Sequence, residues 1–166
     1  GFNNTSRMVL SLAVAKQLSE KCNTLFVNFE TFGGFKGILK GEEEQNLSDA
    51  LYAFRQNHNQ FHKNIVNAIS HYDRLDYIPD TSCADDIDDI KAEELGTFVQ
   101  GIGRELGYSY IVVDIGDGLR MPWNMMDCFD EIYMCDGDNY LEKSKVRNFE
   151  NMVMERGMNN VVSAFK

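Results

Sequence analysis

Two short runs of apolar, β-prone residues, each ending in polar side chains, place the strongest constraint on the fold of this chain. Residues 110–115 are apolar apart from Asp114 near the carboxyl end, and residues 24–30 lead through Asn28 and Glu30 into a loop with paired glycines. Runs of this kind are typical of parallel strands that are buried on both faces. Because ligands of open parallel sheets bind beyond the carboxyl ends of the strands, these polar residues are the first candidates for a binding site.

Helices are predicted before, between and after the two runs. Apolar residues at helical spacing predict helices in residues 5–21, 47–54, 61–69, 95–106 and 146–153. Two further short strands are predicted at residues 75–79, where a proline stops the run, and at residues 131–135. This alternation implies an α/β domain with a mainly parallel sheet that is covered by helices on both faces through right-handed crossovers.

Length and composition fit one globular domain, or part of one, over residues 1–166. The chain has 166 residues, of which 43% are hydrophobic, so it can bury a sizeable core. Its net charge is −10 and it has no Lys/Arg cluster long enough to follow a phosphate backbone, so no nucleic-acid partner is predicted. No apolar stretch approaches the roughly 20 residues of a membrane-spanning helix, and the N-terminus lacks the pattern of a signal peptide. A cytoplasmic protein is expected.

The same segments resemble the MinD/ParA superfamily of P-loop ATPases, whose phosphate-binding loop is the deviant Walker A motif. The resemblance rests on the sequences AVAKQLSEK at 13–21, LFVNFE at 25–30 and YIVVD at 110–114, and it covers nearly the whole chain. The sequences at 46–52 and 77–79 look most like the CpaE/TadZ branch, which is associated with pilus assembly. The resemblance implies a three-layer, P-loop NTPase-like fold, from which this chain is expected to lack the first strand.

The resemblance also implies ATP or ADP with magnesium as ligands, but the phosphate-binding segment is degenerate or missing. Family members have a loop rich in glycine and lysine before the first helix, and its backbone amides hold the phosphates. Here the helix opens with four residues that are the implied phosphate contacts: Asn4, Thr5, Ser6 and Arg7. Thr5 stands where the loop lysine is expected, and Ser6 stands at the position of the magnesium-binding hydroxyl.

The acidic positions of the family are only partly kept. The Asp-x-Asp pair expected after the first helix reads Asn28 and Glu30, and Asn28 cannot act as a base. Asp114 matches the Walker B aspartate, and Gly116 opens the segment that follows it. Bound magnesium would be held by Ser6 and Asp114, and no catalytic residue is predicted. Structural roles remain open, since Asp114 can cap a loop and Asn28 and Glu30 can begin a turn.

These observations favour a non-hydrolysing pseudo-ATPase that acts as a localisation, assembly or regulatory module, with pilus assembly suggested by the CpaE/TadZ resemblance. It is expected to form a homodimer or to bind a protein of a localisation or secretion system, with recruitment to the membrane or the cell pole. A homodimer is expected to bury part of residues 116–126. Two alternatives remain: an active ATPase whose P-loop lies upstream of these residues, and an α/β interaction module that binds no nucleotide.

Overall fold

The computed structural model describes residues 4–30, 33–34, 38–39, 45–56, 61–115, 123–134, 140–158 and 161, without the side chains of 4–6, 62, 88, 92, 123–125 and 142. The helices are α1 Asn4–Ser19, α2 Leu47–Gln56, α3 Phe61–Asn67, α4 Ala84–Asp88, α5 Ala92–Leu106 and α6 Tyr140–Glu155. The strands are β1 Thr24–Phe29, β2 Ser70–Tyr72, β3 Leu75–Ile78 and β4 Tyr110–Ile115. A 3-10 helix spans Trp123–Cys128.

The four strands of the described part form one sheet in the order β2-β3-β1-β4. Strand β1 pairs in parallel with both β3 and β4, whereas β2 pairs antiparallel with β3. The register places Asn28 of β1 directly opposite Asp114 of β4. The two runs that the sequence predicts as parallel strands are therefore neighbours in the sheet, with Asn28 and Asp114 at the same edge.

Strand β1 is the centre of the fold because all six of its residues are buried. Successive side chains of a strand point to opposite faces. Leu25, Val27 and Phe29 belong to the larger core, which they share with residues of α2, α3 and α5. Phe26 belongs to a second core with Met8 and Ala15 of α1. Helices thus cover both faces of a mostly parallel sheet, which confirms the predicted three-layer α/β fold.

Helix α5 follows α4 and ends as its sequence predicts. Gly107 follows its last residue with a φ of 65°, in the left-handed region, and its amide donates to the carbonyl of Gly103. Glycine enters this region without a steric penalty, and it commonly ends helices for that reason. The chain then turns directly into β4 with Asp114 at the far end of that strand.

No local sequence pattern predicts strand β2. Apolar spacing predicted a helix through Ile69, but α3 ends at Asn67 and the chain turns into a three-residue antiparallel strand. Asp73 closes the β2–β3 hairpin with a φ of 57°. Aspartate tolerates this conformation better than most residues with a side chain. A strand this short, exposed at the edge of the sheet, has no alternating apolar pattern that could predict it.

The prediction of a strand at residues 131–135 is wrong for residues 131–134, the part of this range that the structure describes. Only Ile132 makes a β-bridge, and Cys135 lies outside the described residues. Ile132 instead packs against a small third core of Met126, Val153 and Val161. Met126 is therefore a core residue, while residues 116–122 and the side chains of Trp123 and Met125 lie outside the description. None of the described helices is long and apolar enough to cross a membrane.

Candidate functional site

The polar residues at the carboxyl ends of β1 and β4 meet beneath α1. Strand periodicity places Asn28 on the same face as Phe26, which packs in the α1 core, and Asp114 on the same face as Val112, which packs against that core. Asn28, Glu30 and Asp114 are all buried. The pattern of the strands alone therefore brings these groups together under one helix.

Arg7 of α1 binds both carboxylates. Its Nε donates to Asp114 Oδ1 at 2.8 Å, and its Nη2 donates to Glu30 Oε1. Ser11 lies one turn further along the same helix, with its hydroxyl 3.0 Å from Asp114 Oδ2 and 2.9 Å from the carbonyl of Met8. Residues four apart share a helix face, so Arg7 and Ser11 together engage both oxygens of Asp114.

A third acidic residue, Asp80, joins the site from the end of β3. Asn28 Nδ2 donates to Asp80 Oδ1 at 2.9 Å in a buried hydrogen bond. The other polar atom of that amide, Asn28 Oδ1, is buried and has no hydrogen-bond partner in the described part of the chain. A Cβ on Gly33 would lie 2.1 Å from Asp80 Cγ, so the loop after β1 passes directly against this carboxyl group.

Burial and charge act against each other at these groups. Burial raises the pKa of Glu30 above its ordinary value, and the charge of Arg7 counteracts only part of that shift. Burial by itself lowers the pKa of Arg7, but the hydrogen bond and charge of Asp114, reinforced by Glu30, outweigh it and raise the pKa. Arg7 therefore remains a cation within a buried group of acids, which is the condition under which such pairs are stable.

Only some of the predicted site residues lie within the described part of the structure. The structure joins Arg7, Asn28, Glu30 and Asp114 at one edge, whereas the side chains of 4–6, including the candidate magnesium ligand Ser6, and the whole of Gly116 lie outside the described residues.

Sequence reasoning missed Ser11 and Asp80. Signals for both existed: Ser11 follows Arg7 at helical spacing, and Asp80 follows Pro79 at the carboxyl end of a predicted strand.

The described side chains do not fit a magnesium ion as they stand. Among them, no group of three or more His, Cys, Asp or Glu side chains is arranged to hold a metal ion. Asp114, the metal ligand implied by the family resemblance, is engaged by Arg7 and Ser11, and Glu30 is bound by Arg7. A divalent ion prefers such carboxylate oxygens, so it would have to displace the guanidinium from them.

Gly33→Ala should disrupt the Asn28–Asp80 contact because the added methyl group would collide with the Asp80 carboxyl group. The buried amide of Asn28 then loses its acceptor, and we expect a loss of about 1–2 kcal/mol in the free energy of unfolding, measured by urea denaturation. Gly34→Ala is the matched control, since its Cβ would meet only Met8 at 3.6 Å. Equal losses in the two variants would mean that the contact with Asp80 does not explain Gly33.

No protein-family model matches the chain, and no curated protein matches it. The fold is similar to a ParA family ATPase from Chlorobium tepidum TLS, with a TM-score of 0.69 and 18% identity over 93% of this chain. It is also similar to a plasmid partition protein from Borrelia burgdorferi B31 bound to AMPPNP, with a TM-score of 0.55 and 16% identity over 95% of this chain.

The described part of the chain therefore has the α/β fold seen in these proteins, with polar residues gathered at the carboxyl edge of the sheet. More closely, the fold is ParA-like. The chain spans 65% of the length of the Chlorobium protein and 68% of the length of the Borrelia protein. A further solved structure of a plasmid partition protein from Borrelia burgdorferi is also similar in fold, with a TM-score of 0.57, 16% identity and coverage of 95% of this chain and 70% of that one.

Proposed function

We propose that this chain is a non-hydrolysing pseudo-ATPase domain that acts in localisation, assembly or regulation. The observation that carries the proposal is the engagement of Asp114, whose two carboxylate oxygens are bound by Arg7 and Ser11 of α1. An aspartate at this position can assist phosphate chemistry only if it is available to magnesium or its bound water. Here Asp114 accepts hydrogen bonds from side chains of α1 instead.

A second feature supports the absence of hydrolysis. Asn28 occupies the strand position where the family resemblance implies a carboxylate, and its amide nitrogen is bound to Asp80. An amide does not accept a proton at neutral pH, so it cannot serve as a general base. Glu30 remains ionisable, but it is bound by Arg7.

Nucleotide binding without turnover remains part of the proposal. ATP or ADP would approach the N-terminal turn of α1, where residues 4–7 present backbone amides, and magnesium would accompany it only if the ion displaced the groups now bound to Asp114. A Borrelia protein with this fold is bound to AMPPNP, which supports looking for the same ligand class here.

The domain is proposed to act by binding a protein partner. Val9, Leu10 and Val14 expose apolar side chains on α1, the helix that also carries Arg7 and Ser11. Exposed apolar residues grouped on one helix support a contact with a second copy or with a protein of a localisation or secretion system. A role in pilus assembly, with recruitment to the membrane or the cell pole, rests on the sequence resemblance to the CpaE/TadZ branch.

The proposal predicts no magnesium-dependent ATP turnover by the chain above that of Asp114→Ala, measured as phosphate release. Asp114→Asn serves as a second control, because it keeps the size of the side chain that Arg7 and Ser11 contact. Calorimetry with ATP and magnesium is run on the same samples.

Binding without turnover supports a nucleotide-sensing pseudoenzyme. Neither binding nor turnover supports an interaction module that is independent of nucleotide. ATP turnover that depends on Asp114 would contradict the proposal and support the alternative that the chain belongs to an active ATPase.

A further inference from the structure

We infer that Arg7 is the resident cation of the carboxyl edge and excludes a divalent metal ion from Glu30, Asp114 and the oxygen of Asn28. The inference deepens the proposed function and rests on the same site. It predicts that a neutral side chain at position 7 turns a site closed to divalent ions into one that binds them.

Arg7 contacts both carboxylates of the site. Neighbouring nitrogens of one guanidinium donate to Asp114 and to Glu30, so a single cation bridges the two carboxylates. The Arg7 side chain is only 15% exposed, and the side chains of Glu30 and Asp114 are 9% and 2% exposed. Charges this buried need a counter-charge, and the planar fork of arginine meets carboxylates with favourable geometry.

Asn28 supplies the independent observation. Its side chain is 1% exposed, and its Oδ1 is buried without a hydrogen-bond partner in the part of the chain that the structure describes. A buried carbonyl oxygen left without a partner costs free energy, so such atoms usually have a ligand or donor. Asn28 faces Asp114 across the sheet in register, which puts this oxygen at the same edge as the carboxylates.

The chemistry of these groups matches a hard divalent ion once Arg7 is neutral. Carboxylate and amide oxygens are the preferred protein ligands of magnesium and manganese. With Arg7 present, a divalent ion must compete with a tethered cation that is already hydrogen-bonded to both acids. Without it, Glu30, Asp114 and nearby Asp80 repel one another, and an ion that binds between them relieves that repulsion.

The test uses Mn²⁺ alone, without nucleotide. Binding of Mn²⁺ to the chain and to Arg7→Gln is measured by calorimetry and by electron paramagnetic resonance, and melting temperatures are recorded with and without the ion. Arg7→Gln should bind Mn²⁺ about tenfold or more tightly than the unmodified chain. Saturating Mn²⁺ should raise its melting temperature by about 3 °C or more and leave that of the unmodified chain unchanged.

Three controls make the result specific. Arg7→Lys keeps a cation and should gain no binding. Arg7→Gln combined with Asp114→Asn removes a ligand and should lose the gained binding. Arg55→Gln removes a cation from an ion pair with Glu94, away from the site, and should show no Mn²⁺ response even though the chain has a net charge of −10.

If Arg7→Gln is unfolded in a chelator, its circular dichroism is followed as Mn²⁺ is added, and recovery of helix supports the inference. Arg7→Gln combined with Glu30→Gln lacks one of the carboxylates proposed to hold the ion, and it should show no such recovery of helix.

Two results would overturn the inference: Mn²⁺ binding by the unmodified chain as tight as by Arg7→Gln, or no response of Arg7→Gln by any of these measurements. Neither depends on ATP turnover, so failure here is distinguishable from failure of the proposed function.

Discussion

Replacing Phe98 with alanine should lower the free energy of unfolding by about 4 kcal/mol, the largest loss that we expect from a single substitution. Phe98 of α5 is fully buried and makes edge-to-face contacts with Phe29, Phe54 and Phe61, at centroid distances of 6.3, 5.5 and 5.9 Å. These rings come from β1, α2 and α3, so one side chain joins three helices to the central strand. Truncation leaves a cavity between four elements of the fold. These elements would have to move together to fill it.

Urea denaturation of Phe98→Ala and Phe98→Leu measures this effect, with leucine expected to recover part of the loss by filling some of the volume. Tyr52→Ala on α2 is the matched control, because that ring is 65% exposed and its removal should change stability by less than about 0.5 kcal/mol. A loss for Phe98→Ala no larger than for Tyr52→Ala would mean that the aromatic cluster does not hold the helices to the sheet.

The parts of this fold that could be predicted from sequence are those with a long apolar pattern. Strands β1 and β4 and the inward faces of α2 and α5 have such patterns, and each lies where the pattern places it. Strand β2 has three residues and a mostly exposed surface, so pairing with β3 alone determines it. The helix predicted around residues 95–106 is preceded by a separate short helix, α4, which acidic composition did not distinguish.

Only the site residues that lie at the carboxyl ends of predicted strands could be predicted from the sequence. Parallel pairing made it possible to expect Asn28 and Asp114 at one edge, and the register confirms it. The partners of these residues could not be predicted in the same way. The contact of Arg7 with two carboxylates depends on how α1 crosses the sheet. Asp80 stands at a predicted strand end, but its contact with Asn28 depends on β3 lying next to β1. Neither is encoded in a local pattern of residues.

The close approach at Gly33 shows the same limit. The sequence gives two adjacent glycines, which a tight turn is enough to explain. In the structure Gly33 lies against the Asp80 carboxyl group, so space and not only backbone freedom requires a residue without a side chain. The reason for this glycine is therefore Asp80, a residue far from it in the sequence.

Arg7→Gln should lower the free energy of unfolding by about 3 kcal/mol, because it leaves buried carboxylates without their cation. Glutamine keeps much of the length of the side chain and can still hydrogen-bond, so the loss reports mainly on charge. Arg55→Gln is the matched control: Arg55 also pairs with a glutamate, Glu94, but its side chain is 38% exposed. Water screens such a pair, and its loss should cost less than about 1 kcal/mol.

The pH dependence separates the charge of Arg7 from its packing. The pKa of Glu30 is already raised by burial, and loss of the opposing charge of Arg7 raises it further. A carboxyl group with a raised pKa binds its proton more tightly in the folded state than in the unfolded state, so its contribution to stability falls as the pH rises. The deficit of Arg7→Gln should therefore be largest near neutral pH and shrink as the solution is acidified. A deficit that stays constant over that range would assign the role of Arg7 to packing and not to its charge.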